Sequence, residues 1–205
     1  MAVPYRLFYR LGFHPWEDLA EHPPFADKLA ELFGREESGR EPPFGPALDL
    51  GCGSAVWGVK LVQRGWQVTG VDLVEKSLER ARERVRDAGV QMRLVHGDVT
   101  DLRATDVGGG FRLVLDTGTF HGLNADQREA MGREVSAIAA DDAAVILDAF
   151  APRRRGPLPR GASQDDVEAA FPAWQITDVE VADTDPDPIA RLVKFDERFY
   201  RLRRK

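Results

Sequence analysis

ALDLGCGSAVWG, residues 47–58, predicts a β-strand that runs directly into a glycine-rich turn and then into a helix. Ala47, Leu48 and Leu50 supply the apolar strand, and helix-forming residues follow the glycines. A strand that ends in Gly51-Cys52-Gly53 brings its backbone close to a ligand, because glycine has no β-carbon and the next helix points free N–H groups at that ligand. The stretch therefore predicts a turn that binds a nucleotide cofactor.

The spacing of small residues in this turn distinguishes between two cofactors. A dinucleotide fingerprint requires glycine at position 56, where this chain has Val56. An acid followed by small residues at alternate positions is instead present, as Asp49, Gly51, Gly53 and Ala55. The stretch resembles motif I of class I methyltransferases that depend on S-adenosylmethionine (SAM), with Ala55 in place of the usual third glycine.

Acids also follow the next two predicted strands. Asp72 is the penultimate residue of WQVTGVDL, and a carboxylate there can accept both ribose hydroxyls of an adenosine, although an NAD enzyme would place an acid there as well. The resemblance implies that Asp98 accepts the exocyclic amine of adenine and that the Val99 backbone lies nearby. The cofactor-binding residues expected on this basis are Asp49, Gly51, Cys52, Gly53, Asp72, Leu73, Asp98, Val99, Asp116, Thr117 and Trp16.

The block FRLVLDTGTFHGL, residues 111–123, predicts the fourth strand and its tip. It resembles the corresponding stretch of small-molecule methyltransferases of the thiopurine, thiol and heterocycle types, and it lacks the NPPY-type tetrapeptide of enzymes that methylate adenine or glutamine nitrogen. His121 is a candidate general base, because its ordinary pKa of about 6.5 suits neutral operation. The alternative is that His121 only packs or hydrogen-bonds there. Phe120 and Trp16 are candidate aromatic walls of the site, or else core residues.

The C-terminal third predicts the rest of the sheet and part of the substrate pocket. Asp148 is expected near the end of the fifth strand, on the crevice side. Arg160, in the following loop, is a candidate contact for an anion, and Ser163 is expected to cap a helix. Two closing strands with alternating apolar residues complete the pattern.

Together these segments predict an α/β fold: a Rossmann-like, doubly wound, seven-stranded, mostly parallel sheet with one antiparallel strand. Residues 1–205 are expected to form one methyltransferase domain, with a core at 46–205. The aromatic segment 1–45 is expected to form a helical lid over the active site, or alternatively to cover the outside of the sheet.

The composition limits the possible partners and locations. The net charge of −6 disfavours nucleic acid, and no apolar run approaches the roughly 18 residues that span a membrane. The single cysteine, Cys52, is compatible with a cytoplasmic location. No cluster has metal-ligand spacing, so no metal is expected. The sequence does not indicate the oligomeric state.

The expected function is in-line transfer of a methyl group from SAM, with S-adenosylhomocysteine (SAH) as product, to a small aromatic or thiol-containing molecule. Two alternatives remain at this point. One is an NAD(P)-dependent oxidoreductase, disfavoured by Val56 and by the lack of a Tyr-x-x-x-Lys pair. The other is a non-catalytic SAM-binding subunit, suggested by Ala55.

Overall fold

A computed structural model describes residues 23–152, 160–181 and 197–205 of the chain. The strands are β1 (Gly45–Leu50), β2 (Trp66–Asp72), β3 (Arg93–His96), β4 (Phe111–Thr117), β5 (Ala139–Phe150), β6 (Trp174–Val181) and β7 (Glu197–Arg204). The helices are α1 (Pro23–Glu37), α2 (Val56–Arg64), α3 (Glu75–Asp87), α4 (Ala125–Ile138) and α5 (Gln164–Ala170).

The seven strands form one sheet in the order β3-β2-β1-β4-β5-β7-β6. The first five strands pair in parallel, whereas β7 runs antiparallel to both β5 and β6. This confirms the predicted mostly parallel sheet with one antiparallel strand. The chain order reverses between β1 and β4, and in open α/β sheets the ligand crevice lies outside the carboxyl ends of the strands at such a reversal.

Two hydrophobic layers cover the sheet, as expected for parallel strands that are buried on both faces. One layer contains α1 and α2, and its aromatic members include Trp57 and Trp66. The other contains α4 and α5 and includes Trp174. The face that carries α1 is called the α1 face below.

Helix α1 lies within the segment expected to form a lid, and it belongs to the layer that covers one face of the sheet. Phe25, Leu29, Leu32 and Phe33 are buried, and Phe25 lies 5.1 Å from Phe199 of β7 between ring centroids. The part of segment 1–45 that forms α1 therefore covers the sheet, which is the alternative to a lid. Residues 1–22, including Trp16, lie outside the described residues, so the lid stays a prediction there.

A buried carboxylate joins α1 to strand β7. Glu36 accepts a hydrogen bond of 2.6 Å from Arg201 Nε and another from Arg203. We expect Glu36→Ala to lower the free energy of unfolding by about 2–3 kcal/mol, because two guanidinium groups lose their buried partner. Chemical denaturation would measure this change. Glu31→Ala is the control on the same helix, since Glu31 forms exposed pairs with Lys28 and Arg35, and equal losses in both variants would contradict the prediction.

Candidate cofactor and substrate site

The turn after β1 adopts a left-handed backbone at alternate positions. Gly51, Gly53 and Ala55 have φ angles of 62°, 55° and 60°. A β-carbon on Gly51 would overlap the Thr119 hydroxyl, which donates to the Leu50 carbonyl at 3.1 Å. Ala55 is the only non-glycine residue with positive φ in the described ranges, at a usual cost of roughly 1–2 kcal/mol. The alanine therefore adopts the left-handed conformation that a third glycine would favour.

Asp72 connects the tip of β2 to this turn. Its Oδ2 accepts the Gly53 N–H at 2.9 Å, and its Oδ1 accepts the Val74 N–H at 2.7 Å. Burial raises the pKa of Asp72 even though these bonds oppose the rise. The neighbouring Leu73 side chain is 45% exposed, which leaves an apolar surface beside the carboxylate. A carboxylate beside an apolar surface suits the ribose and base of an adenosine.

Asp49 is the buried acid beneath the turn. Only 1% of it is exposed, and the described part of the chain offers its Oδ2 no hydrogen-bond partner. Burial, together with the nearby Asp116 and Asp72, raises the pKa of Asp49 to about 8. A buried carboxyl oxygen without a partner fits a cationic ligand group, and SAM carries an ammonium and a sulfonium. Cys52 is also buried, which raises the pKa of its thiol.

Asp98 and Val99 follow β3 at the same edge of the sheet. Asp98 Oδ1 accepts from the Thr100 N–H at 2.9 Å and from the Thr100 hydroxyl at 2.7 Å. Val99 is buried against the hydrophobic core. The strand register brings Asp72 and His96 side by side, so the structure places Asp49, Asp72 and Asp98 at the carboxyl ends of three neighbouring strands, as the sequence predicts. Their contacts with a cofactor stay predictions.

The structure corrects the expected orientation of Asp116. This side chain is fully buried, and its carboxylate accepts the backbone N–H groups of Gly118, Thr119 and Phe120 at 3.0, 2.8 and 3.1 Å. Burial raises its pKa to about 7. Asp116 therefore holds the turn after β4, whereas Thr117 beside it is partly exposed. Contacts of Asp116 and Thr117 with the cofactor stay predictions.

The structure also corrects the expected orientation of Phe120. Its ring has no exposed surface and lies in the core, 6.2 Å from the ring of Phe171 between centroids and 5.1 Å from the Arg128 guanidinium. This placement agrees with the core alternative instead of an aromatic wall. The residue before Phe120 is Thr119, which faces the edge of the sheet. Its hydroxyl donates a hydrogen bond to the Leu50 carbonyl of β1.

His121 is largely buried and stacks on Phe150, with ring centroids 4.5 Å apart. Its Nδ1 accepts the Phe150 N–H at 3.4 Å. A neutral imidazole that accepts at Nδ1 carries its proton on Nε2, so Nε2 has no lone pair with which to remove a proton. The observed contacts agree with the packing alternative, and the role of His121 as a base stays a prediction.

Asp148 lies on β5 opposite Thr117, at the carboxyl edge and on the α1 face. Burial, with Glu197 and Asp116 nearby, raises its pKa well above the ordinary range. Sequence reasoning missed Glu197, the first residue of β7, whose pKa burial raises to about 7. Only the pairing of β5 with β7 brings it to this edge. Arg160 is exposed at the start of a described range.

Comparisons with known proteins agree with this geometry. A family described as a methyltransferase domain matches residues 47–142. The chain is 28% identical over 175 residues to a 2-heptyl-1-hydroxyquinolin-4(1H)-one methyltransferase of Mycobacteroides abscessus, covering 81% of this chain and 74% of that protein. It is 34% identical to a ubiquinone biosynthesis O-methyltransferase of Sinorhizobium medicae, over 44% of this chain and 36% of that one.

Solved structures share the fold. The N-methyltransferase NodS from Bradyrhizobium japonicum, in complex with SAH, superposes with a TM-score of 0.74 at 15% identity. The superposition covers 93% of this chain and 91% of the NodS chain. The 1,6-didemethyltoxoflavin-N1-methyltransferase of Burkholderia thailandensis has a TM-score of 0.72 at 21% identity and covers 98% of this chain and 85% of its own.

Residues 47–142 match a methyltransferase domain, and the seven-stranded sheet with its glycine turn and buried acids has the fold of class I SAM-dependent methyltransferases. SAM is its cofactor, and nothing in the comparisons supports the oxidoreductase alternative. In the part of the chain that the structure describes, no helix is long and apolar enough to cross a membrane. The same ranges contain no group of His, Cys, Asp and Glu residues that could hold a metal ion.

The buried acids predict an unusual dependence of stability on pH. The pKa is about 8 for Asp49 and about 7 for Asp116 and Glu197 in the folded chain, against an ordinary value near 4 when unfolded. A carboxyl group whose pKa is higher in the folded chain than in the unfolded chain stabilises the fold at a pH below its unfolded pKa. This stabilisation is lost as the pH rises through the folded pKa. We therefore expect the melting temperature without ligand to fall between pH 5 and pH 8.

Carboxylates with lowered pKa values, such as Glu134 and Asp166, do not reverse this slope. Their contribution is lost only as the pH falls below about 5. Differential scanning calorimetry at constant ionic strength measures the trend, and Asp49→Asn should flatten it by removing the group with the pKa near 8. A melting temperature that rises steadily from pH 5 to pH 8 would refute the prediction.

Proposed function

We propose that this methyltransferase acts on a small aromatic or thiol-containing molecule. The observation that carries the proposal is the similarity to the hydroxyquinolinone methyltransferase over 81% of the chain. The toxoflavin-precursor enzyme, which shares the fold, also acts on a small heterocycle by its name. The stacked rings of His121 and Phe150 lie at the carboxyl edge of the sheet, where they can border a flat molecule.

Bound SAM supplies an electrophilic methyl group, and the residues of the chain supply its position. We propose that Asp49 pairs with a cationic group of the cofactor, that Asp72 accepts the ribose hydroxyls, and that Asp98 accepts the adenine amine. Gly51 and Gly53 let the backbone approach the cofactor closely. Positioning of this kind can lower the barrier by up to roughly 7–11 kcal/mol, whereas a general base contributes about 10²–10⁴ in rate.

The role of His121 is tested by His121→Gln. The glutamine amide oxygen can replace Nδ1 as acceptor for the Phe150 N–H, so the fold is preserved while the titrating ring is removed. Because Nδ1 is already bonded, we expect the variant to retain its rate within about threefold between pH 6 and pH 9. A loss of about 10² or more that is greatest at high pH would identify His121 as the base.

The proposal itself is tested by measuring SAH formation with a panel of acceptors. The panel contains 1-hydroxyquinolin-4-one, 4-hydroxyquinoline, simple phenols, aryl thiols and N–H heterocycles, each compared with an acceptor-free control. We expect formation of SAH and of the methylated product with at least one aromatic acceptor. Tight SAM binding without turnover of any acceptor would instead favour the non-catalytic alternative.

A further inference from the structure

Two acids lie together beyond the expected cofactor contacts. Asp148 pairs with Phe199 across β5 and β7, and Glu197 pairs with Phe150 two residues away on the same face. Such diagonal neighbours have Cα atoms about 7–8 Å apart, within reach of two carboxyl groups. Asp148 is 4% exposed and Glu197 is 8% exposed. The sheet therefore buries two carboxyl groups side by side at its carboxyl edge.

In the described ranges, the Asp148 carboxyl lacks a hydrogen bond to one of its oxygens, in contrast to the nearby buried carboxyl of Asp116. The described residues provide no hydrogen-bond partner for Asp148 Oδ1, whereas three backbone N–H groups satisfy Asp116. Burying a polar oxygen without a partner costs about 1–3 kcal/mol. Asp148 lies opposite Thr117, on the same face and at the same edge as Asp49. Its Oδ1 oxygen thus lies on the face and at the edge of the sheet where the methyl acceptor is proposed to meet the cofactor.

The electrostatics of the pair determine which ligand it favours. Burial raises the pKa of both carboxyl groups, and the nearby Glu197 and Asp116 carboxylates raise that of Asp148 further, so the pair retains a proton at neutral pH. A protonated pair offers both a donor and an acceptor to a neutral ligand. An anionic group placed against two buried acids would instead be repelled, because a low dielectric strengthens the repulsion.

We propose that Asp148 and Glu197 form the subsite that recognises the methyl acceptor, and that they select a neutral molecule with an O–H or N–H group over an anion. This inference rests on the proposed function and narrows it, because a thiolate or a carboxylate would be disfavoured. In the transfer, a lone pair of the acceptor forms the bond to the methyl carbon and the carbon–sulfur bond pair returns to sulfur. The acceptor proton passes to the carboxyl pair and then to water.

The experiment measures binding of two related probes to the SAH-loaded enzyme by titration calorimetry at pH 7. The neutral probe is 4-hydroxyquinoline, and the anionic probe is the same ring with a 2-carboxylate. We expect wild type to bind the neutral probe about tenfold more tightly or better. Asp148→Asn and Glu197→Gln should each weaken binding of the neutral probe by about tenfold, which is the usual effect of losing one hydrogen bond to a charged or shared-proton group.

The double variant Asp148→Asn/Glu197→Gln should bring the two dissociation constants close together, because it removes the charge as well as the hydrogen bonds. Asp141→Asn, an exposed aspartate at the start of β5, is the matched control and should change neither constant. An unchanged dissociation constant for SAH shows that each variant keeps its fold.

The inference would be overturned if the wild type bound the carboxylate as tightly as the neutral probe, or if it bound neither probe. It would also be overturned if both single variants bound the probes as the wild type does. Failure of the proposed function would give a result that differs from failure of the acceptor subsite. In that case the wild type would bind the neutral probe in the expected way but form no SAH with any acceptor.

Discussion

Gly51→Ala is expected to weaken SAM binding by about a hundredfold or more and to lower the free energy of unfolding by about 2–5 kcal/mol. Two separate costs add at this position. The backbone has a φ of 62°, which costs an alanine roughly 1–2 kcal/mol. The new β-carbon also overlaps the Thr119 hydroxyl, and relieving such an overlap typically costs a further 1–3 kcal/mol or so.

The effect on the cofactor follows because relieving the overlap moves the turn or the tip of β4, or rotates Thr119 and breaks its hydrogen bond to the Leu50 carbonyl. If the binding-competent turn is only fractionally populated, the apparent affinity falls by that fraction. Titration calorimetry with SAM and chemical denaturation measure the two effects. Thr119→Ala in the Gly51→Ala background should recover part of the affinity, since it removes the overlapping hydroxyl.

Gly89→Ala is the matched control for the backbone cost. Gly89 follows the C-terminal end of α3 with a φ of 65°, and a β-carbon added there meets nothing within 4 Å. This variant should pay only the left-handed cost of roughly 1–2 kcal/mol and bind SAM as the wild type does. Equal losses of SAM affinity in the two variants would show that close approach at Gly51 is not what the turn requires.

Asp72→Asn should weaken SAM binding by about tenfold to a hundredfold. The two carboxylate oxygens accept the Gly53 and Val74 N–H groups, and an amide presents an N–H₂ group to one of those donors. The variant therefore loses one charge-assisted bond to the glycine turn and the second acceptor expected for the ribose hydroxyls. A hydrogen bond to a charged group contributes roughly 1.5–3 kcal/mol, which corresponds to the stated range.

Asp87→Asn is the control for this change, because Asp87 is an exposed aspartate at the end of α3. It should leave the dissociation constant for SAM unaltered. Binding of SAM by Asp72→Asn with wild-type affinity would exclude Asp72 from the cofactor site. The S-adenosyl group is common to SAM and SAH, so the affinities for the two molecules should fall by the same factor.

The sequence predicts well the strands and the positions of the acids at their carboxyl ends, because both depend on local patterns. Strand 47–50 and its turn are coded by neighbouring residues, and so are the acids at the tips of β2 and β3. Ser163 likewise caps α5 as predicted, with its hydroxyl accepting the Asp166 N–H. Each of these features involves residues only a few positions apart, for which spacing is sufficient information.

The errors and omissions concern side chains whose direction depends on distant contacts. Asp116 and Phe120 stand next to crevice residues in sequence, but one binds the turn that follows and the other enters the core with Phe171. His121 is fixed by Phe150, 29 residues away. Glu197 reaches the site only through the antiparallel pairing of β7, which no local pattern near residue 197 reveals.

The positions of the tryptophans give the two layers of the sheet separate optical reporters. Trp57 and Trp66 are buried in the layer of α1 and α2, whereas Trp174 is buried in the layer of α4 and α5, where its indole donates to Ser136 at 2.8 Å. Variants that retain one of these indoles and carry phenylalanine at the remaining tryptophan positions would each report the melting of one layer by fluorescence. Loosening of the layer next to the acceptor subsite can then be distinguished from loosening of the opposite layer.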